Sequence, residues 1–179
     1  SVIQLFISEQ ATPLMAAAAD DGTISGNVTW DNRTITTPVT LKGDTTITLR
    51  GENSITISDT TEVSALEMNY RSLTIQGSGS LTVTVPKGKY GIADSNYGDT
   101  AGGTLTIKGG AKITTNGGSF GLSAKTIVIE NGTLNLKNSG YGIDTASLTM
   151  NGGTLYTTGK YGAISNSQYG TARNIDSNL

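Results

Sequence analysis

Hydrophobic and polar residues alternate along short segments that return at a nearly constant interval. The clearest segments are Leu73-Thr74-Ile75, Leu105-Thr106-Ile107, Ile127-Val128-Ile129 and Leu148-Thr149-Met150. The step is 22 residues from Leu105 to Ile127 and 21 residues from Ile127 to Leu148. Strict alternation indicates β-strands with one buried face, so the outer residues of each segment are predicted to point inward.

Each interval contains two further strand-like segments, separated from the first by glycine-containing turns. One is typified by Ile113-Thr114-Thr115, and the other is an aromatic-glycine-aliphatic triplet. The triplets are Tyr90-Gly91-Ile92, Phe120-Gly121-Leu122, Tyr141-Gly142-Ile143 and Tyr161-Gly162-Ala163. A unit this short cannot bury its own apolar face, so successive units must stack. The pattern therefore predicts an all-β fold, a single right-handed parallel β-helix of about seven coils.

The repeated triplets predict two stacks along such a helix. The glycines would share one position where a side chain has no room or where φ is unusual. The aromatic residues before them would form a ladder at the spacing of adjacent strands. A purely structural ladder is the favoured interpretation of these rings.

The chain divides into two predicted parts. Residues 22–179 form the β-helix domain, with longer loops at residues 59–62 and 93–103. Residues 1–21 contain a strand-like run, Ile3-Gln4-Leu5-Phe6-Ile7, and then a short helix with Thr12 as its N-cap and Pro13 in its first turn. Alternatively, the small residues around Ala16 and Ala18 form a signal-peptidase site. A Greek-key sandwich is the alternative fold, but it gives no reason for repeating units of nearly equal length.

Composition excludes several functional classes. The net charge is −2, so there is no basic footprint for nucleic acid, and no apolar run approaches the ~20 residues of a membrane span. Cysteine and histidine are absent, which removes thiolate nucleophiles, Ser-His-Asp triads and most zinc sites. The arginines fall at unlike positions of the repeat, so no catalytic base recurs beside an acidic cluster. We therefore predict that the protein is not an enzyme.

Two stretches carry a resemblance to a known family: GDTTITLRGENSITIS at residues 43–58 and SLTIQGSGSLTV at residues 72–83. Here the chain resembles secreted bacterial parallel β-helix proteins with a carbohydrate-binding domain, which are related in shape to polysaccharide lyases. The likeness extends over roughly residues 22–166. It implies a non-catalytic, calcium-associated protein that binds glycans at the cell surface.

Three groups of residues are candidates for chemistry. Asp94, Asn96 and Asp99 offer hard oxygen ligands on one short loop, which suits calcium, although such residues also favour turns for conformational reasons. Outward aromatic side chains would stack on sugar rings; these are Trp30, Tyr70, Tyr97, Tyr156 and Tyr169, with Tyr156 the best placed. The run containing Ile3, Leu5, Phe6 and Ile7 would either cap a coil of its own chain or pair with the open end of a neighbouring subunit.

These features lead to two functional hypotheses. An uncovered coil and a free N-terminal strand are complementary, so contact between subunits would be head-to-tail and would build filaments. The first hypothesis is therefore a self-assembling structural protein, secreted to the extracellular space or the cell surface of a bacterium. The alternative is a cell-surface module that binds a polysaccharide.

Overall fold

The computed structural model describes residues 22–58 and 61–165, and it contains only strands and connecting turns there. The first strands are β1 (Thr23–Asp31), β2 (Thr34–Ile35), β3 (Val39–Arg50), β4 (Glu52–Thr56), β5 (Ser64–Glu67), β6 (Leu73–Gln76), β7 (Ser80–Thr84) and β8 (Tyr90–Ala93). The later strands are β9 (Thr104–Ile107), β10 (Lys112–Asn116), β11 (Phe120–Ile129), β12 (Thr133–Lys137), β13 (Tyr141–Met150), β14 (Thr154–Thr158) and β15 (Gly162–Ser165).

The strands pair in parallel and form two sheets. The smaller sheet contains six strands, in the order β14-β12-β10-β7-β4-β2. The larger sheet contains nine strands and provides two faces, because its long strands change partner along their length. The start of β11 pairs with β8, whereas its end pairs with β9. Each coil thus contributes three strand segments, which is the arrangement of a parallel β-solenoid-like fold.

The residue pairings confirm the repeat alignment made from the sequence. Leu105 lies opposite Leu73 and Ile127, and Ile127 lies opposite Leu148. In the smaller sheet, Ile113 lies opposite Leu81 and Leu134. A shift of one residue would move every apolar side chain to the outer face, so the alternating pattern determines this register.

The core runs through the stacked coils and consists of aliphatic side chains. Leu73, Ile75, Leu105, Ile107, Ile127 and Ile129 are fully buried, as predicted. Leu148 and Met150, predicted to be inward, are only partly buried. Within the described part of the chain, the corresponding half of β13 pairs with β11 alone, so these two side chains are packed from one side.

The predicted glycine stack is confirmed for three of its four members. Gly91, Gly121 and Gly142 lie between paired residues of β8, β11 and β13. The prediction for Gly162 is wrong, because Gly162 lies opposite Tyr141. The last repeat has one more residue between its tyrosine and its isoleucine, and the apolar Ile164 keeps its place opposite Ile143. Burial of the isoleucine therefore decides the register.

The described residues form six coils, judged from the strands of the smaller sheet, against about seven predicted. They contain no helix, and hence no helix that could cross a membrane. The N-terminal strand and the short helix predicted within residues 1–21 lie outside the described residues, as do residues 166–179 and 59–60.

Candidate binding groove

An open groove of about 680 Å³ lies on the face formed by β8, β15 and the starting halves of β11 and β13. We call it the aromatic groove. Its lining consists of an aromatic row, a polar row and part of one loop. The members are Tyr90, Phe120 and Tyr141; Ser123, Asp144 and Ser165; and Ser95, Asn96 and Tyr97.

The aromatic row is the predicted ladder, and its rings are half-buried. The ring centroids of Tyr90 and Phe120 are 4.8 Å apart with planes tilted by 58°. Phe120 and Tyr141 are 6.2 Å apart with planes at 18°. Tyr161 continues the row at 6.2 Å from Tyr141, although it is displaced by one residue in the register. The ladder therefore lines a surface open to a ligand.

The polar row runs beside the rings and is also set by strand register. Ser123 lies opposite Asp144, which lies opposite Ser165. The carboxylate Oδ2 of Asp144 accepts hydrogen bonds from the Tyr97 hydroxyl at 2.9 Å and from the Ser123 hydroxyl at 3.1 Å. Asp144 is 8% exposed, so its carboxylate forms part of the groove floor.

One side chain in the groove, Tyr90, has a pKa that differs from its usual value. Burial raises the pKa of the Tyr90 hydroxyl above its usual range, and the negative charge of Asp144 raises it further. Both effects disfavour the tyrosinate anion, since one removes hydration and the other adds repulsion. Tyr90 is therefore a neutral hydroxyl, able to donate or accept a hydrogen bond, throughout the physiological pH range.

Asp94 holds the loop that closes one side of the groove. Its side chain is fully buried, and its two oxygens accept hydrogen bonds from the backbone N–H groups of Tyr70 at 2.9 Å and Gly103 at 2.8 Å. Tyr70 has a left-handed backbone with φ of 64°, which needs such support. Asp94, the first residue of the loop, thereby ties the loop to Tyr70 and to its own far end at Gly103, and this loop carries Tyr97 to Asp144.

The structure locates the three residues of the predicted calcium site on this loop. Asn96 and Asp99 are exposed, and the backbone oxygen of Asp99 accepts a hydrogen bond from Lys125 Nζ at 2.8 Å. Each carboxylate oxygen of Asp94 already accepts a hydrogen bond from a backbone N–H group. Searching the described residues for groups of three or more Asp, Glu, His or Cys side chains able to hold a metal finds none. Calcium binding by this trio stays a prediction.

Two of the aromatic residues expected to be outward are buried in the structure. Trp30 is 0% exposed, so the expectation that it offers a ring to a sugar is wrong. It lies opposite Leu49 and alternates with the buried Val28, which makes its position an inward one. The expectation of an outward ring is also wrong for Tyr97, which is 7% exposed and contributes to the groove wall with its hydroxyl bonded to Asp144.

Tyr156 and Tyr70 are the outward candidates that the structure leaves exposed, at 55% and 49%. Tyr156 lies on the smaller sheet opposite Asn135, away from the groove-lining residues. Tyr169 and the predicted assembly residues Ile3, Leu5, Phe6 and Ile7 lie outside the described residues.

Sequence reasoning did not identify Asp144 as a site residue, and it treated the ladder as structural only. A signal for both exists in the sequence. The triplet around Tyr141 is followed directly by Asp144, and the triplet around Phe120 by Ser123. Each polar residue directly follows the inward aliphatic residue of its triplet, so alternation points it out of the core, on the side where a groove can form.

The fold and the groove define a parallel β-solenoid-like protein with an open, aromatic-lined groove. Comparison of the chain with protein-family models, with curated proteins and with solved structures finds no match. The function therefore has to be argued from the geometry of the groove.

Proposed function

We propose that this protein is a non-catalytic module that binds a carbohydrate chain in the aromatic groove. The observation that carries the proposal is the row of half-buried rings, Tyr90, Phe120 and Tyr141, beside the polar row that contains Asp144. Apolar faces of sugar rings stack on aromatic rings, and sugar hydroxyls require polar partners. A groove with one wall of each kind suits such an amphipathic ligand.

The direction of the row favours a chain over a single sugar. The rings come from successive coils, so the row follows the direction in which the coils stack. Successive sugar units of one chain could contact successive rings. Because the rings are held by strand register, the surface needs little ordering when a ligand binds, which limits the entropic cost of association.

Removal of one central ring is expected to weaken glycan binding about tenfold or more. A tenfold increase in the dissociation constant corresponds to a loss of about 1.4 kcal/mol of binding free energy. Phe120→Ala is the informative variant because its ring lies between two others. Affinity electrophoresis against a panel of polysaccharides, followed by titration calorimetry with the ligand that binds, measures the effect.

Tyr156→Ala is the matched control, because Tyr156 is exposed on the smaller sheet and does not line the groove. It should bind glycans as the unaltered chain does. Equal weakening by both substitutions would contradict a role for the groove, and binding of no polysaccharide by the unaltered chain would reject the proposal.

The proposal also covers the location of the protein and the handedness of its coils. We place it outside the cell or at the cell surface of a bacterium, where polysaccharides are accessible. We also propose a right-handed winding and a single continuous helix. Parallel strand-to-strand connections are right-handed in about 98% of cases, which supports that choice.

End-to-end assembly is a second proposed function, and the last described coil favours it. Leu148 and Met150 are only partly buried, whereas Ile127 and Ile129, their partners in the preceding coil, are fully buried. A partly covered apolar surface of this kind could accept a strand donated by another copy. The hypothesis assigns that strand to the run containing Ile3, Leu5, Phe6 and Ile7.

Deletion of residues 1–10 is expected to abolish polymers while leaving the coils folded. Sedimentation velocity measures assembly, and circular dichroism measures strand content. Phe6→Asp provides a milder variant that should weaken assembly without shortening the chain. If the intact chain sediments as a monomer, or the shortened chain still polymerises, the donated-strand proposal is wrong.

A further inference from the structure

The charge of the residues that line the groove disfavours one class of carbohydrate, the anionic sugars. Asp144 is the acidic residue of the lining, and neither lysine nor arginine lines the groove among the described residues. The remaining lining residues are tyrosine, phenylalanine, serine and asparagine. The groove therefore presents one negative charge within an otherwise uncharged surface, and it would repel uronates and sulfated sugars.

The hydrogen bonds of Asp144 leave one of its oxygens available to a ligand. Both hydrogen bonds that it accepts within the described part of the chain end on Oδ2, and both donors are neutral hydroxyls. A largely buried charge is ordinarily paired with an opposite charge. Among the described lining residues none is positively charged, so a cationic group on a ligand could pair with Oδ1.

The aromatic row favours the same kind of ligand. The faces of aromatic rings carry negative potential and attract cations that lie over them. The pairing of β11 with β13 places Phe120 opposite Tyr141, and the same pairing places Ser123 opposite Asp144. Rings and carboxylate thus act on one region of the groove, and both stabilise positive charge.

We infer that the aromatic groove recognises a glycan whose sugars carry protonated amino groups, with Asp144 as the residue that selects the charge. This inference rests on the proposed carbohydrate-binding function and narrows its ligand class. Neutral sugars can still stack on the rings, but they lack the group that pairs with the carboxylate. An amino-sugar polymer supplies both the stacking face and the positive charge in each unit.

The test uses two oligosaccharides of equal length that differ in the amino group alone: glucosamine hexamer and its fully N-acetylated counterpart. Titration calorimetry should show about tenfold tighter binding of the free-amine hexamer, and added salt should weaken that binding selectively. Asp144→Asn should remove the preference while retaining binding of the acetylated hexamer, which also reports that the groove is folded.

Asp31→Asn is the control, because it removes the same charge from an exposed position of β1 outside the groove lining. It should keep the preference. Equal binding of the two hexamers by the unaltered chain, or an unchanged preference in Asp144→Asn, overturns the inference and leaves carbohydrate binding intact. Binding of neither hexamer also overturns it, and the polysaccharide panel then decides whether carbohydrate binding itself fails.

Discussion

Asp94→Ala should lower the free energy of unfolding by about 1–3 kcal/mol, because two backbone N–H groups lose their acceptor and the buried one alone costs about that much. The two N–H groups belong to Tyr70 and Gly103, and the side chain that satisfies them is fully buried. The left-handed backbone of Tyr70 loses its support at the same time. Urea unfolding followed by circular dichroism measures the change.

Asp99→Ala is the matched control for this substitution, since it removes a carboxylate from an exposed position of the same loop. The contact between the Asp99 backbone oxygen and Lys125 does not need the side chain, so stability should be unchanged. Equal stability of Asp94→Ala and the unaltered chain would contradict the assigned role of Asp94. If chelator lowers the melting temperature and Asp99→Ala removes that sensitivity, the loop holds calcium.

Gly121→Val should destabilise the protein by about 1–3 kcal/mol, the usual cost of forcing extra atoms into a packed interior. A Cβ at Gly121 would lie 2.5 Å from Thr115 Oγ1 and 2.8 Å from the backbone oxygen of Gly142, and it would also clash with Asn138 Oδ1. Thr115 and Asn138 are buried and hydrogen-bonded to each other at 2.8 Å. The midpoint of urea unfolding measures the loss.

Gly43→Ala provides the comparison, because its φ is not positive and the nearest atom to its added Cβ is the Cβ of Ser25 at 3.2 Å. This substitution should change stability far less than Gly121→Val. Gly121 also lacks a positive φ, so the expected loss comes from crowding and not from backbone strain. A valine at Gly121 that leaves the unfolding midpoint unchanged would reject the packed-stack explanation.

The glycine stack also has a consequence for the groove. Small residues at Gly91, Gly121 and Gly142 leave space that other side chains and backbone of the coils fill. The aromatic residue before each glycine then stands at the groove with its ring half-exposed. Packing between the coils and the lining of the groove are therefore linked through neighbouring positions of one triplet.

The sequence by itself determined the repeat, the strand positions and most of the register. Leu73, Leu105, Ile127 and Leu148 were aligned from their spacing, and the pairings confirm that alignment. This information is local: alternation marks the buried face of each strand, and a nearly constant interval forces identical units to stack. The aromatic ladder followed from the same reasoning.

The tertiary structure decided which side chains meet and which remain exposed. Asp144 and Tyr97 are 47 residues apart in the chain, yet a loop brings them into a hydrogen bond of 2.9 Å. Trp30 was expected at the surface, but strand β1 places it in the core opposite Leu49. Local periodicity carries no information on where a long loop folds back or on how far neighbouring coils cover a ring. Those outcomes depend on packing between distant segments, and the candidate site is made of such contacts.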